Sequence, residues 1–206
     1  MELRSDMKVE FTNLLGTDDE IMNIAKVSTL KDTNILYDMA DEKLRGFLNF
    51  LMKHQHGTPF EHNLLQFRIE APIFVWREFH RHRIGFSYNE QSGRYMKLLP
   101  HFYIPSEERR KHSKKTEQYK VSSPSFHNLG ECPIYEWTVM MNYCKSIYSH
   151  TYEHYEKMLE LGLDSGLARM ILPVGLYSAC YVTCNVRSLI NFLHLRTEDQ
   201  TTNHSH

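Results

Sequence analysis

The chain has 206 residues, 41% of them apolar and 24% charged, with a formal net charge of -1. That length and apolar share support a single domain, residues 1–206, with a substantial core. The balanced charge excludes the strongly basic make-up of a general nucleic-acid binder, so any anion site must be local, and no apolar run is long enough to span a membrane.

The first six residues lead into no apolar segment, so the N-terminus is not read as a signal peptide. Residues 8–15 alternate weakly and predict a first strand. Thr17 followed by Asp18, Asp19 and Glu20 marks a helix start, because a hydroxyl cap and acids in the first turn meet unpaired amides and the positive end of the dipole. That helix runs to about Lys26. A second begins near residues 38–41 and carries Leu44, Phe47, Leu48 and Leu51 at helical spacing. Gly57 and Pro59 break it within the run His54 to His62. Leu65, Phe67 and Ile69 then alternate with Gln66, Arg68 and Glu70, the pattern of a half-buried strand. Pro72 suits the first turn of a new helix, predicted to carry Arg77 and Arg81 on one face.

Residues 105–130 change character. They are dense in charge and then in turn formers, which predicts an exposed, partly helical insertion. Pro133 opens a long helix to about Leu161, with Tyr143, Ile147 and Met158 among its apolar positions and Gly162 as the cap. A short helix over residues 164–172 is stopped by Pro173. A last helix is predicted over residues 177–196. The cysteines are Cys132, Cys144, Cys180 and Cys184, none in a close metal-type pair. Cys180 and Cys184 lie four apart on an apolar segment and read as buried thiols, in keeping with a reducing cytoplasm.

The densest chemistry lies in residues 81–94. Arg81-His82-Arg83 is followed by Ser87, Asn89, Glu90, Gln91, Ser92 and Arg94, with Tyr88 and Tyr95 among them. Guanidinium forks recognise phosphate or carboxylate in bidentate fashion, so the target is an anion bearing a hydrogen-bonding ring. Thirteen histidines raise a metal site, but His54, His56, His62, His80 and His82 lack the spacing of a helical ligand pair. Arg81 and Arg83 would also repel a divalent cation, so no metal is expected. Arg187, Asn191 and His194 share one face of the last helix, while Leu189, Ile190, Phe192 and Leu193 are expected inside. A solvated polar stripe accounts for Arg196 at a negative helix end. It accounts less well for Arg169, set between Ala168 and Met170, where a long cation needs a partner. No nucleophile elbow, dinucleotide fingerprint or Walker loop occurs. An enzyme with this sequence therefore relies on a bound cofactor for its difficult chemistry.

Arg81-His82-Arg83 with Ser92 resembles the signature of flavin-dependent thymidylate synthases. The likeness extends to His56-Gly57-Thr58-Pro59-Phe60-Glu61-His62, to Ala71-Pro72-Ile73-Phe74-Val75 and to Asn89-Glu90-Gln91-Ser92-Gly93-Arg94-Tyr95. It continues through Ala168-Arg169-Met170-Ile171-Leu172-Pro173 and Asn185-Val186-Arg187-Ser188-Leu189-Ile190-Asn191-Phe192-Leu193 with Leu195-Arg196. The resemblance implies an α+β fold of the thymidylate-synthase-complementing-protein type, a twisted antiparallel sheet flanked by helices. It implies reductive methylation of dUMP to dTMP, with 5,10-methylenetetrahydrofolate as carbon donor and FAD, reduced by NADPH, as hydride carrier. It implies a homotetramer with active sites shared between subunits, and no nucleic-acid or membrane partner.

Carried over residue by residue, the resemblance places His56, Thr58, Arg81, His82, Arg83, Asn185, Arg187 and Asn191 at FAD, with Glu90 between flavin and nucleotide. Ser92, Gly93 and Arg94 would hold dUMP, with Glu78 and Arg81 nearby and Arg169 reaching in from a neighbouring subunit. Arg196 would be the catalytic group, stabilising charge on the uracil edge. The gap from Arg83 to Ser92 is one residue longer than the family pattern, with the extra residue in Ile84-Gly85-Phe86. The family continues past Arg196 with a further helix, so the resemblance reads the C-terminal end as shortened, at a cost in flavin affinity. Residues 105–130 have no counterpart in it. Two rivals remain, a homologue that binds flavin or nucleotide without turnover and a single-stranded RNA-binding module built on Arg81, Arg83, Arg94, Tyr88 and Tyr95.

Overall fold

The computed structural model describes residues 1–29, 40–112 and 134–196. Its main sheet is antiparallel, with four strands in the order β2 (Lys8–Leu15), β3 (Leu64–Pro72), β6 (Tyr177–Asn185) and β4 (Phe86–Glu90). A small parallel pair joins β1 (Glu2–Arg4) to β5 (His101–Tyr103). Around them lie α1 (Asp18–Lys26), α2 (Asp41–Lys53), α3 (Ile73–Phe79), α4 (Glu107–His112), α5 (Ile134–Glu160), α6 (Ser165–Ala168) and α7 (Val186–Arg196). The α+β architecture of an antiparallel sheet flanked by helices is as expected. Among the described residues no helix is long and apolar enough to cross a membrane.

Several elements form for the reasons visible in the sequence. β2 occupies residues 8–15 as predicted, with a register shift between Phe11 and Asn13. Thr17 caps α1 through a reciprocal box, in which its hydroxyl accepts from the Glu20 amide and the Glu20 carboxylate accepts from the Thr17 amide. α2 buries Leu44 and Leu51. Gly162 follows the end of α5 in the left-handed conformation.

The main correction concerns residues 177–196, which are not one helix. Residues 177–185 form the central strand of the sheet, and only Val186–Arg196 is helical. Cys180, Val182 and Cys184 are buried at a spacing of two, with exposed Tyr181 between them. The four-residue spacing of the thiols fits a strand face as well as a helix face, and Tyr177, Tyr181, Val182 and Thr183 favour the pleated sheet. The thiols are buried as expected. A second correction moves Arg81 out of α3, which ends at Phe79, while Pro72 is the residue before the helix. On α5, Tyr143 and Ile147 are exposed and Met158 packs inward. Leu193 is exposed rather than inside. Of the expected insertion, residues 107–112 are helical; residues 113–130, and the C-terminal tail after Arg196, lie outside the described residues.

Two cores matter for the site. The apolar face of the sheet (Ala71, Cys180, Val182) packs on Trp76, with Phe79, Phe86 and Tyr88 around it. The Trp76 indole N–H donates to the Ser178 carbonyl at 3.2 Å. Across the molecule, α5 is pinned to residues 98–103 by three tyrosines. The Tyr148 hydroxyl donates to the Tyr103 carbonyl and the Tyr152 hydroxyl to the Leu98 carbonyl, while the Tyr155 hydroxyl accepts from the Leu98 amide.

A charge ladder ties β1 to the sheet. Arg4 bridges Asp6 (2.9 Å) and Glu70 (3.1 Å), and Arg68 bridges Glu70 (2.7 Å) and Glu10 (3.2 Å). The Arg4 guanidinium also lies over the Tyr177 ring. Hydrogen bonds to Arg4, and to Lys8 and Arg68, hold the Asp6 and Glu10 carboxyls below their ordinary range. Burial pushes Glu70 the other way, but its bonds to Arg4 and Arg68 outweigh it and the net shift is down.

Truncating Trp76 to Ala opens a cavity under the central strand and is expected to cost about 3–5 kcal/mol in urea unfolding. A cost below ~1 kcal/mol would contradict this packing. The lowered carboxyls stabilise the fold above their ordinary range, and that stability is lost as pH falls through their folded values. The melting temperature should therefore drop between about pH 5 and pH 3, and Glu70→Gln should flatten the drop. An unchanged acid profile in Glu70→Gln would remove the ladder from the account.

Candidate active site

After Phe79 the chain leaves α3, turns through His80 to Gly85 and enters β4. The His82 amide donates back to the Phe79 carbonyl (3.0 Å) and the Phe86 amide to the Arg83 carbonyl (3.3 Å), which makes a tight corner of the Arg-His-Arg segment. Gly85 has φ +69, and a Cβ there would run into Ser188 Oγ and lie 2.6 Å from Asn185 Nδ2. Only glycine tolerates that conformation and that approach at low cost. Ile84, at the tip of this turn, is 90% exposed.

The corner is clamped against the junction of β6 and α7. The Asn185 amide donates to the Gly85 carbonyl (3.1 Å), and the Val186 amide donates to the Asn63 carbonyl (3.1 Å). The Asn185 side chain accepts from the Ser188 amide at 2.8 Å and so caps α7. Three remote segments therefore meet at two consecutive residues, and a cleft of about 860 Å³ lies between them. Arg81, His82, Arg83, Asn185, Arg187 and Asn191, all singled out in the sequence, line it. Glu61, Ser188, Phe192 and Leu195 also line it and were missed as site residues. Glu61 lies within the Thr-Pro-Phe-Glu stretch, and that acid next to a motif threonine was the available signal.

Arg187 connects this cleft to a smaller cavity of about 320 Å³ that holds His56. Its guanidinium pairs with Glu61 and lies against Gly57, where a Cβ would come 2.6 Å from Nε. Thr58 begins the 3-10 turn Thr58–Glu61 and lines neither cavity. Arg196 reaches across to His82, with Nη2 at 3.3 Å from Nε2. A guanidinium can only donate, so Nε2 is the acceptor and the imidazole is neutral in this contact. Burial, then Arg196 and Arg81, lower the His82 pKa below its ordinary 6.5. The corner thus carries fixed guanidinium charge beside an uncharged imidazole.

The other expected residues gather at the far end of β4. The Arg94 amide donates to Ser92 Oγ (3.3 Å), and Ser165 Oγ donates to the Arg94 carbonyl (2.7 Å). The Arg169 side chain passes beside Gly93, and its Nε donates to the Gly166 carbonyl at 3.3 Å. Arg169 is exposed, so the expectation of a buried cation in need of a partner is corrected. Ser92, Gly93, Arg94 and Arg169 form this group. Glu78 instead pairs with Arg81 at 3.3 Å, and Glu90 ends β4 opposite Cys180. A five-residue strand at ~3.3 Å per residue sets the two groups roughly 15 Å apart within one chain. Neither Arg83 nor Arg94 has a carboxylate partner among the described residues.

The amino-acid sequence matches the thymidylate synthase complementing protein family over residues 11–204. The chain belongs to that family. The flavin-dependent thymidylate synthase of Streptomyces coelicolor is 42% identical over 201 residues, 97% of this chain and 79% of its own length. The protein of the same name from Tropheryma whipplei is 41% identical over 193 residues, 94% of this chain and 77% of its own length. A crystal structure of a UMP/dUMP methylase, PolB from Streptomyces cacaoi bound with 5-Br dUMP, superposes with a TM-score of 0.81 at 36% identity, covering 96% of this chain and 81% of that one. This flavin-dependent thymidylate synthase family member is thus an enzyme of the methyltransferase class.

The two thiols of the sheet, Cys180 and Cys184, are poor nucleophiles. Burial pushes Cys180 and Cys184 up to about 11, and the thiolate is the reactive form. The cleft depends instead on how closely the corner approaches α7. Gly85→Ala should destabilise the protein by about 1–3 kcal/mol and open the cleft. Unfolding midpoints that match the parent would show that the turn relaxes freely.

Proposed function

We propose that this chain converts dUMP to dTMP, taking the one-carbon unit from 5,10-methylenetetrahydrofolate and using FAD, reduced by NADPH, as hydride carrier. The observation that carries this reading is the cleft in which Arg81, His82, Arg83, Asn185, Arg187 and Asn191 converge from two remote segments. Its size and lining suit FAD. The guanidinium groups match a pyrophosphate, and Phe86, Phe192, Ile84 and Leu195 offer apolar surface to a ring system. His56, in the adjoining cavity, and Thr58 complete the flavin contacts in this reading. When bound, the flavin supplies the hydride.

The chain's own residues supply position and charge. Ser92, Gly93 and Arg94 hold the dUMP phosphate and sugar, helped by Arg169, Glu78 and Arg81, and Glu90 lies between the two ligands. Arg196 leaves His82 for the uracil edge, where its fixed charge stabilises the negative charge that makes C5 nucleophilic. The buried Cys180 and Cys184, raised to about 11, agree with activation by a cation rather than by attack from the sheet.

The separation of the two residue groups supports a shared site, with Arg169 completing the pocket of a neighbouring copy. Exposed Met140, Tyr143 and Ile147 on α5, and Val9 and Phe11 on the edge strand β2, provide apolar surface for such an assembly. This reading makes the protein a single-domain, cytoplasmic homotetramer.

The test is an FAD titration followed by absorbance, with tritium release from C5-labelled dUMP in the same preparation. We expect bound flavin and release that depends on methylenetetrahydrofolate. Arg196→Ala should keep FAD and lose turnover by at least about 100-fold; retained turnover would sink the role given to Arg196. Flavin binding without release identifies a non-catalytic homologue. Salt-sensitive RNA binding with no flavin uptake identifies the RNA-binding alternative.

A further inference from the structure

The Arg-His-Arg corner has little regular structure of its own, and one side chain ties it to the sheet. The Tyr88 hydroxyl donates to the His82 carbonyl at 2.6 Å and lies 3.2 Å from the Phe79 carbonyl. Tyr88 itself is held in β4, opposite Val182 of the central strand. Its ring stacks on Phe86 and meets His80 and Phe79 edge to face. His80 in turn stacks on buried Trp76, and its Nε2 is buried without a hydrogen-bond partner. The corner therefore has no polar side-chain anchor from His80 and depends on the tyrosine.

We propose that Tyr88 is a positioning residue that fixes the backbone of Arg81-His82-Arg83 so that both guanidinium groups face the cleft in the orientation an anionic flavin dinucleotide requires. The inference rests on the flavin reading above for its ligand, though not for its geometry. Without the hydroxyl, the His82 carbonyl loses its side-chain anchor and with it the peptide plane that leads into Arg83, while the preceding plane keeps only the bond from the His82 amide to the Phe79 carbonyl. Arg196 would lose its rest on His82 as the imidazole moved. Burial raises the Tyr88 hydroxyl to about 12, so it remains a donor at every pH at which the protein works.

Tyr88→Phe keeps the ring and removes only the anchor. In the full chain we expect FAD affinity to fall about tenfold, and the His82 imidazole, followed by NMR without any ligand, to titrate nearer its ordinary 6.5 as it leaves Arg196. A drop of only a few degrees in melting temperature should accompany this. Unchanged FAD affinity and an unchanged His82 titration would overturn the proposal. So would weaker FAD binding explained by lost stability alone, with the His82 titration unmoved. In the unsubstituted protein, the amides of His82 and Phe86, which donate to the Phe79 and Arg83 carbonyls, should exchange with deuterium as slowly as the edge of β4, and exchange within seconds would overturn the proposal even if the variant fails to fold. A parent protein that takes up no FAD refutes the flavin reading, and the His82 titration still decides the role of Tyr88.

Discussion

Two consecutive residues at the end of the central strand hold the molecule's chemistry together. β6 is paired on both sides, with β3 and with β4, so its end is fixed in space before α7 begins. There the Asn185 amide takes the Gly85 carbonyl and the Val186 amide takes the Asn63 carbonyl. The first bond brings in the Arg-His-Arg corner, and the second brings in the end of the His56 to His62 segment. The same Asn185 caps α7 with its side chain and so aims Arg187 and Asn191. Amide donors at a strand–helix junction are unsatisfied by either element alone. Here that shortfall is used to join Asn185 to Gly85 and Val186 to Asn63, segments far apart along the chain.

The location of the cations follows from this joint. A chain of net charge -1 cannot attract an anion by its overall field. It concentrates positive potential by bringing Arg81, Arg83 and Arg187 to one cleft and Arg94 and Arg169 to another place. Glu78 pairs with Arg81, and inside the cleft Glu61 pairs with Arg187. That pair orients a guanidinium at the boundary between the two cavities, and it lowers the net charge that a ligand meets at that point.

How much of this was legible in the sequence varied with the range of the interaction. Thr17 and Glu20 announced α1 because a capping box is local. β2 was legible because its alternation is local too. The helix reading of residues 177–196 failed because Cys180 and Cys184 satisfy both periods, and the strand is decided by the partners β3 and β4, which no local window contains. Arg81 was set on a helix because nothing nearby announced the corner. Its determinants are Tyr88 across a hairpin-like return and Gly85 against Ser188. The residues singled out from the motifs fall into two groups in space, at the corner and at the far end of β4, and that division was not legible. Spacing along a chain does not reveal that β4 lies between Arg83 and Ser92 as a spacer.

That spacer bears on how the reaction can be assembled. In the reading proposed above, the residues at the corner and those at Ser92 to Arg94 of one chain are set roughly 15 Å apart by β4, whereas reacting atoms must come within about 3–3.5 Å. Closing the gap by bending β4 would break its pairing with β6 along five registered positions, from Phe86 opposite Cys184 to Glu90 opposite Cys180. The rigid strand therefore favours bringing in a second copy over deforming the first. In the shared-site reading proposed above, the exposed Arg94 and Arg169 would be presented to a neighbour's cleft. In that reading the sheet sets the distance between the two groups, and a second copy would close it without disturbing the pairing of β4 with β6.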